Sequence, residues 1–107
     1  MTFDAYDRSL SLLRTLRPLL EKLESIDPKL ADQLRRAAQS TTLNIAEGNR
    51  RSGRDRRNRF RISLGSAAEV AACLDVANAL GYVDELTVAP AVELVDRVRA
   101  MTYRLSH

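Results

Sequence analysis

The stretch "LLEKLESIDPKLADQLRRAA", residues 19–38, reads as the end of one helix, a corner, and the start of another. Before the corner, Leu20 and Leu23 continue a stripe begun by Phe3, Tyr6, Leu10, Leu13 and Leu16. Their three- and four-residue steps place them on one helical face, so a first helix is predicted from about Phe3 to Glu24. Pro18 lies inside it and removes one backbone hydrogen bond. A kink near Arg14 is expected rather than a break, because the stripe continues past it. Asp27-Pro28 makes the corner. An aspartate side chain accepts from the free amides that open a helix, and proline suits the first helical position. A second helix then runs from Pro28 to about Asn49 and turns Leu30, Leu34, Ala37 or Ala38, and Ile45 inward.

Working outward, Gly48 and Gly53 bracket the next turn. Ser52 followed by Asp55 resembles a capping box and opens a third helix, which Gly81 stops just after Leu80. A fourth segment has Pro90 near its start and a stripe of Ala91, Val95, Val98, Met101 or Thr102, and Leu105. Four helices with short connections predict an all-α, antiparallel four-helix bundle, with residues 1–107 as one domain. The composition agrees: 5% aromatic residues, no Trp, and 45% hydrophobic residues favour helix over strand.

The third helix changes character in "SAAEVAACLDVANAL", residues 66–80, where apolar and small residues surround the axis. A helix apolar on several faces is buried on several faces, which predicts oligomerisation through helix faces. Ala68, Ala72 and Ala79 would form a smooth contact. The alternative is a bland exposed face, since alanine also raises helix propensity.

The net charge of +3 conceals an asymmetry. "RRSGRDRRNRFR", residues 50–61, holds seven arginines and one acid, while the rest of the chain carries a net −3. Arg50 and Arg51 close the second helix, where cations suit the negative end of its dipole. Arg54, Arg56 and Arg57 open the third, where each opposes the dipole by roughly 0.3–1 kcal/mol. That placement makes sense for an anion ligand, because amides at a helix N-terminus attract phosphate and guanidinium groups add bidentate bonds. Arg54, Arg57 and Arg61 share one face, Arg56 and Arg59 another, and Phe60 should turn into the core. Arg50, Arg51, Arg54, Arg56, Arg57, Arg59 and Arg61 are therefore the candidate nucleic-acid-binding residues. No second aromatic interleaves with them, so contact with the phosphate backbone is expected rather than base stacking. The competing class is a protein-interaction scaffold, in which the basic residues dock an acidic partner or bridge neighbouring subunits.

Chemistry is scarce elsewhere. The one histidine, His107, is the last residue, and the one cysteine, Cys73, lies among alanines. No zinc ligand set, activated nucleophile or phosphate-cradling glycine loop can be assembled. No catalysis, cofactor, metal or small-molecule substrate is expected. Absence of an apolar run of about 20 residues argues against a membrane span. The unpaired cysteine, with no leader-like N-terminus, predicts a cytoplasmic protein.

Asn44-Ile45-Ala46-Glu47-Gly48, then Arg51, Arg59-Phe60, Gly65-Ser66 and Glu69, together with Gln33-Leu34-Arg35-Arg36-Ala37-Ala38, resemble the 23S rRNA-intervening-sequence protein family, also called four-helix-bundle proteins. The resemblance implies a bacterial cytosolic four-helix bundle that assembles as a homopentamer. It further implies kinship with accessory proteins of diversity-generating retroelements, which bind nucleic acid and a reverse transcriptase through a positive surface. Within the motif, Asn44 and Glu47 are expected to stitch the second helix to the third, with Glu47 pairing Arg51 or Arg59. Gly48 is expected to end the second helix, and Gly65 and Ser66 to permit close helix approach. On the alternative that the arginine run is merely solvated surface, Glu47 and Glu69 would neutralise part of it, and within the motif Glu69 is assigned a structural role.

Overall fold

In the computed structural model, which describes residues 3–107, the first helix, α1 (Phe3–Ile26), runs unbroken through Pro18. Arg14 and Pro18 are both exposed, so the carbonyl that loses its amide partner lies on the solvent side. Asp27 then caps α2 (Pro28–Asn49): its Oδ1 accepts from the Leu30 amide at 3.1 Å, and Pro28 opens the helix. Tyr82 donates its hydroxyl to the other carboxylate oxygen of Asp27 at 3.2 Å, which ties this corner to the connection that follows the third helix.

The third helix, α3 (Gly53–Ala79), ends as the sequence predicts. Gly81 adopts φ +77°, its amide bonds the Asn78 carbonyl at 3.0 Å, and the Tyr82 amide bonds Ala77 at 2.9 Å. These two bonds satisfy the last carbonyls of the helix, and only glycine takes that backbone conformation without strain. The fourth helix, α4 (Glu85–Leu105), starts at a cap the sequence reading did not name. Asp84 accepts from the Thr87 amide at 2.7 Å, and the hydrogen bonds from Thr87 hold its carboxyl below the usual carboxylate range.

Each helix packs on two neighbours, α1 and α3 both lying against α2 and α4, with the α2–α3 contact the most extensive. Two apolar clusters fill the centre. The larger joins Leu12, Leu16, Leu23, Leu34, Leu74 and Val95 among others. The smaller joins Ala5 of α1, Ile45 of α2, Phe60 of α3 and Val98 of α4. Hydroxyls lie between them along the first three helices, where Ser9, Thr41, Thr42 and Ser63 are buried.

The α1 stripe differs from expectation. Ala5, Ser9, Leu12, Leu16, Leu19 and Leu23 are buried, whereas Tyr6, Leu10, Leu13 and Leu20 lie half-buried at its edge. The side chain of Phe3 lies outside the described residues. Small residues let α1 approach its neighbours closely, so the line of deepest burial passes through Ala5 and Ser9 rather than through the bulkiest side chains. On α3, Ala68, Ala72 and Ala79 are exposed, and so are Val76 and Leu80.

Among the described residues, the buried hydroxyls of Thr42 and Thr102 find no hydrogen-bond partner. A buried donor without a partner costs its desolvation, whereas an isosteric methyl does not. Thr102 is 0% exposed, so Thr102→Val is expected to stabilise the protein by about 1 kcal/mol. Thermal denaturation should show a midpoint a few degrees higher, and a lower one would refute this account of the hydroxyl.

Candidate nucleic-acid interface

The α2–α3 turn is built on a glycine and an aromatic ring. Gly48 is buried, and a methyl placed on it would stand 2.6 Å from Cε1 of Phe60, whose ring is 0% exposed. Gly48 therefore lies inside α2 as the seat for that ring; it does not terminate the helix. Arg50 is the last half-helical residue, and Gly53 makes the sharp return with φ +61°.

Arg56 fastens this arrangement. Its Nη1 donates to the Gly48 carbonyl at 3.1 Å, and its guanidinium lies 4.8 Å from the Phe60 ring centroid. One arginine thus satisfies a terminal carbonyl of α2 and covers the ring that α3 inserts. Arg51 is held differently. Its Nη1 bonds Asp55 at 2.7 Å and its Nη2 bonds Glu47 at 3.0 Å, so those two carboxylates raise its pKa above the usual guanidinium value. Glu47 also lies 3.9 Å from Arg50. The expected capping box does not form: Ser52 holds the N-cap position but its hydroxyl makes no capping bond, and Asp55 is committed to Arg51.

What remains is a free set. Arg54, Arg57 and Arg61 are exposed, and among the described residues they have no carboxylate within ion-pairing distance. Arg59 is half-buried, and among the described residues it too lacks a carboxylate partner and its buried Nε finds no acceptor. The seven candidate arginines therefore divide into fasteners, namely Arg51, Arg56 and more weakly Arg50, and cations open to a ligand.

The other motif residues meet expectation only in part. Asn44 donates to the Ser40 carbonyl and hydroxyl at 2.9 and 3.2 Å, both on its own helix. The link between α2 and α3 is made by hydroxyls instead. Ser40 and Ser66 Oγ atoms lie 2.7 Å apart, and Ser63 donates to the Thr41 carbonyl at 2.7 Å. Ser66 thus stands at a close helix approach. Gly65 does not, since nothing lies within 4 Å of where its Cβ would be. Glu69 is exposed and lines a groove with Lys29, Arg36 and Ser40, away from the arginine run, and makes no ion pair among the described residues. Cys73 is buried, and burial, followed by the nearby Glu69, pushes its thiol pKa up.

The sequence reading placed a fourth helix but singled out none of its surface cations. Arg99 and Tyr103 line a groove with Arg61 of α3, and Arg97 and Arg104 line a second with Arg8 of α1. No dense charge run marks these residues, and only tertiary packing sets them beside Arg61 of α3 and Arg8 of α1. Among the described residues, no helix is long and apolar enough to cross a membrane, and no cluster of three or more His, Cys, Asp or Glu could hold a metal ion.

Four helices packed around buried apolar clusters define an all-α protein. The chain belongs to the 23S rRNA-intervening sequence protein family, which it matches over residues 1–104. Among solved structures it is similar to a protein of unknown function from the S23 ribosomal protein family of Bacteroides thetaiotaomicron VPI-5482. That likeness has a TM-score of 0.84 at 20% identity and covers 95% of this chain and 97% of the other. Among curated proteins, none matches the sequence.

Proposed function

We propose that the protein is a non-catalytic, nucleic-acid-binding four-helix bundle that contacts RNA or DNA backbone through the arginine-rich α2–α3 region. The observation that carries this reading is the exposed trio Arg54, Arg57 and Arg61, without carboxylate partners among the described residues, at the N-terminal end of α3. A sequence serving only stability would place an acid rather than Arg54 in that first turn, where the helix dipole favours negative charge. The family's description, which names an intervening sequence of 23S rRNA, favours RNA as the anion. On this reading residues 1–107 form one antiparallel domain that works in the cytoplasm.

Several copies would multiply a moderate site. The exposed apolar surface of α3, with Val76 44% and Leu80 58% exposed, supports self-association, and the pentamer implied by the resemblance is the proposed assembly. Sedimentation would detect it, and a monomer at working concentration would remove it.

Fluorescence anisotropy against an RNA fragment, titrated with salt, tests the electrostatic reading. If about 5 phosphates are neutralised, log affinity should fall against log salt with a slope from about −3.5 on a single strand to about −4.5 on a duplex. A flat response would refute it. Pull-downs with and without nuclease separate this reading from an acidic protein partner, since a partner docked directly survives nuclease.

A further inference from the structure

Two grooves flank the C-terminal half of α4. The larger, about 620 Å³, runs between Arg61 and Gly65 of α3 and Arg99 and Tyr103 of α4. The smaller, about 160 Å³, lies between Arg8 of α1 and Arg97 and Arg104 of α4. Ala100 lines both, so one small exposed residue is the ridge between them. Arg8 and Arg104 have no carboxylate partner among the described residues. Arg99 and Arg97 have only long pairings, with Asp96 at 4.0 Å and Glu93 at 3.7 Å. Asp96 also lines the larger groove, and Arg99 offsets its charge.

Tyr103 gives this cationic surface something a phosphate does not need. Its ring is 54% exposed and sits 4.2 Å, centroid to centroid, from the imidazole of His107. His107 is in turn held by Nδ1 contacts of 2.9 Å to the Tyr103 carbonyl and 3.1 Å to Ser106 Oγ. Gly65 leaves the groove beside the ring open. An exposed, supported aromatic between guanidinium groups is the chemistry that stacks an unpaired base while the cations follow its backbone. Bases inside a duplex are already stacked and cannot reach such a ring.

We propose that the α4 face is a binding track for an unpaired nucleotide strand, with phosphates at Arg61 and Arg99, passage over Ala100 toward Arg97, Arg104 and Arg8, and a base stacked on Tyr103. This rests on the nucleic-acid reading above and narrows its ligand to single strands. The test uses a fluorescein-labelled oligo(A) strand and an RNA duplex of equal length. The intact protein should prefer the single strand. Tyr103→Ala should lose roughly tenfold in single-strand affinity while duplex affinity stays, and Tyr103→Phe should retain both. Ala100→Glu, on an exposed position, should weaken the single strand further by setting a carboxylate in its path.

Salt-dependent binding that Tyr103→Ala and Ala100→Glu leave untouched would overturn the track and spare the α2–α3 site. Equal loss of both probes in Tyr103→Ala would overturn base stacking. Binding of neither probe by the intact protein would overturn both readings.

Discussion

Phe60→Ala is expected to cost about 3–5 kcal/mol of stability, the largest loss from any single truncation in the smaller core cluster. The ring is 0% exposed and is the only aromatic among that cluster's buried members, the others being Ala5, Ile45 and Val98. These small and branched neighbours cannot collapse into the space that a phenyl group leaves, so a cavity term adds to the lost transfer energy. The ring also underlies Arg56 and abuts Gly48, so its removal loosens the α2–α3 turn. The complementary change is Gly48→Ala. Its methyl would meet three ring atoms at 2.6, 2.9 and 2.9 Å, and a fully buried phenyl cannot swing away as a surface side chain can. That overpacking should cost about 1–3 kcal/mol. Phe60→Leu in the same chain should recover part of it, giving a double-mutant cycle well short of additive. Urea denaturation measures all of these. A Phe60→Ala loss under about 1 kcal/mol, or strict additivity in the cycle, would refute the idea that Gly48 is the seat of Phe60.

This contact marks where sequence reading stops. Helix ends were legible because their signals are local: Asp27 beside Pro28, and Gly81 two residues beyond Ala79. Each needs only neighbouring backbone groups to act. The α1 face was displaced because alternation of large apolar residues selected Tyr6, Leu10 and Leu13, while Ala5 and Ser9 carry no hydropathy signal. What sets their burial is the closeness of α2 and α4, a tertiary quantity. The arginine density of residues 50–61 was plain, but the division of labour within it was not. Arg51 stands four residues from both Glu47 and Asp55, and Arg56 stands four from Phe60, spacings that a helix or tight turn converts into contacts. The Glu47–Arg51 pair was read as one of two alternatives, and the Arg51–Asp55 and Arg56–Phe60 spacings could have been read in the same way. The Gly48–Phe60 seat and the approach of Tyr103 to Arg61 could not, because each joins positions on different helices.

Charge reversal of the exposed trio, Arg54→Glu with Arg57→Glu and Arg61→Glu, should lower RNA affinity by at least about a hundredfold at moderate salt, since three attractive phosphate interactions become repulsive. The fold should survive, because none of the three makes an ion pair among the described residues and all are exposed. Acids near the N-terminus of α3 also suit its dipole, by about 0.3–1 kcal/mol each within the first turn, so the melting temperature should hold or rise. Neutralising the trio to glutamine isolates the counterion effect: on a single strand the salt slope should shrink by about 2, which is about 0.7 for each phosphate no longer neutralised. Arg51→Ala supplies the opposite profile. It removes the bridge between Glu47 and Asp55, so it should lower the melting temperature while leaving most of the binding intact. The two variants together separate an arginine that holds the turn from arginines that hold a ligand. A trio variant that binds RNA as before, or that unfolds while Arg51→Ala does not, would reverse that assignment.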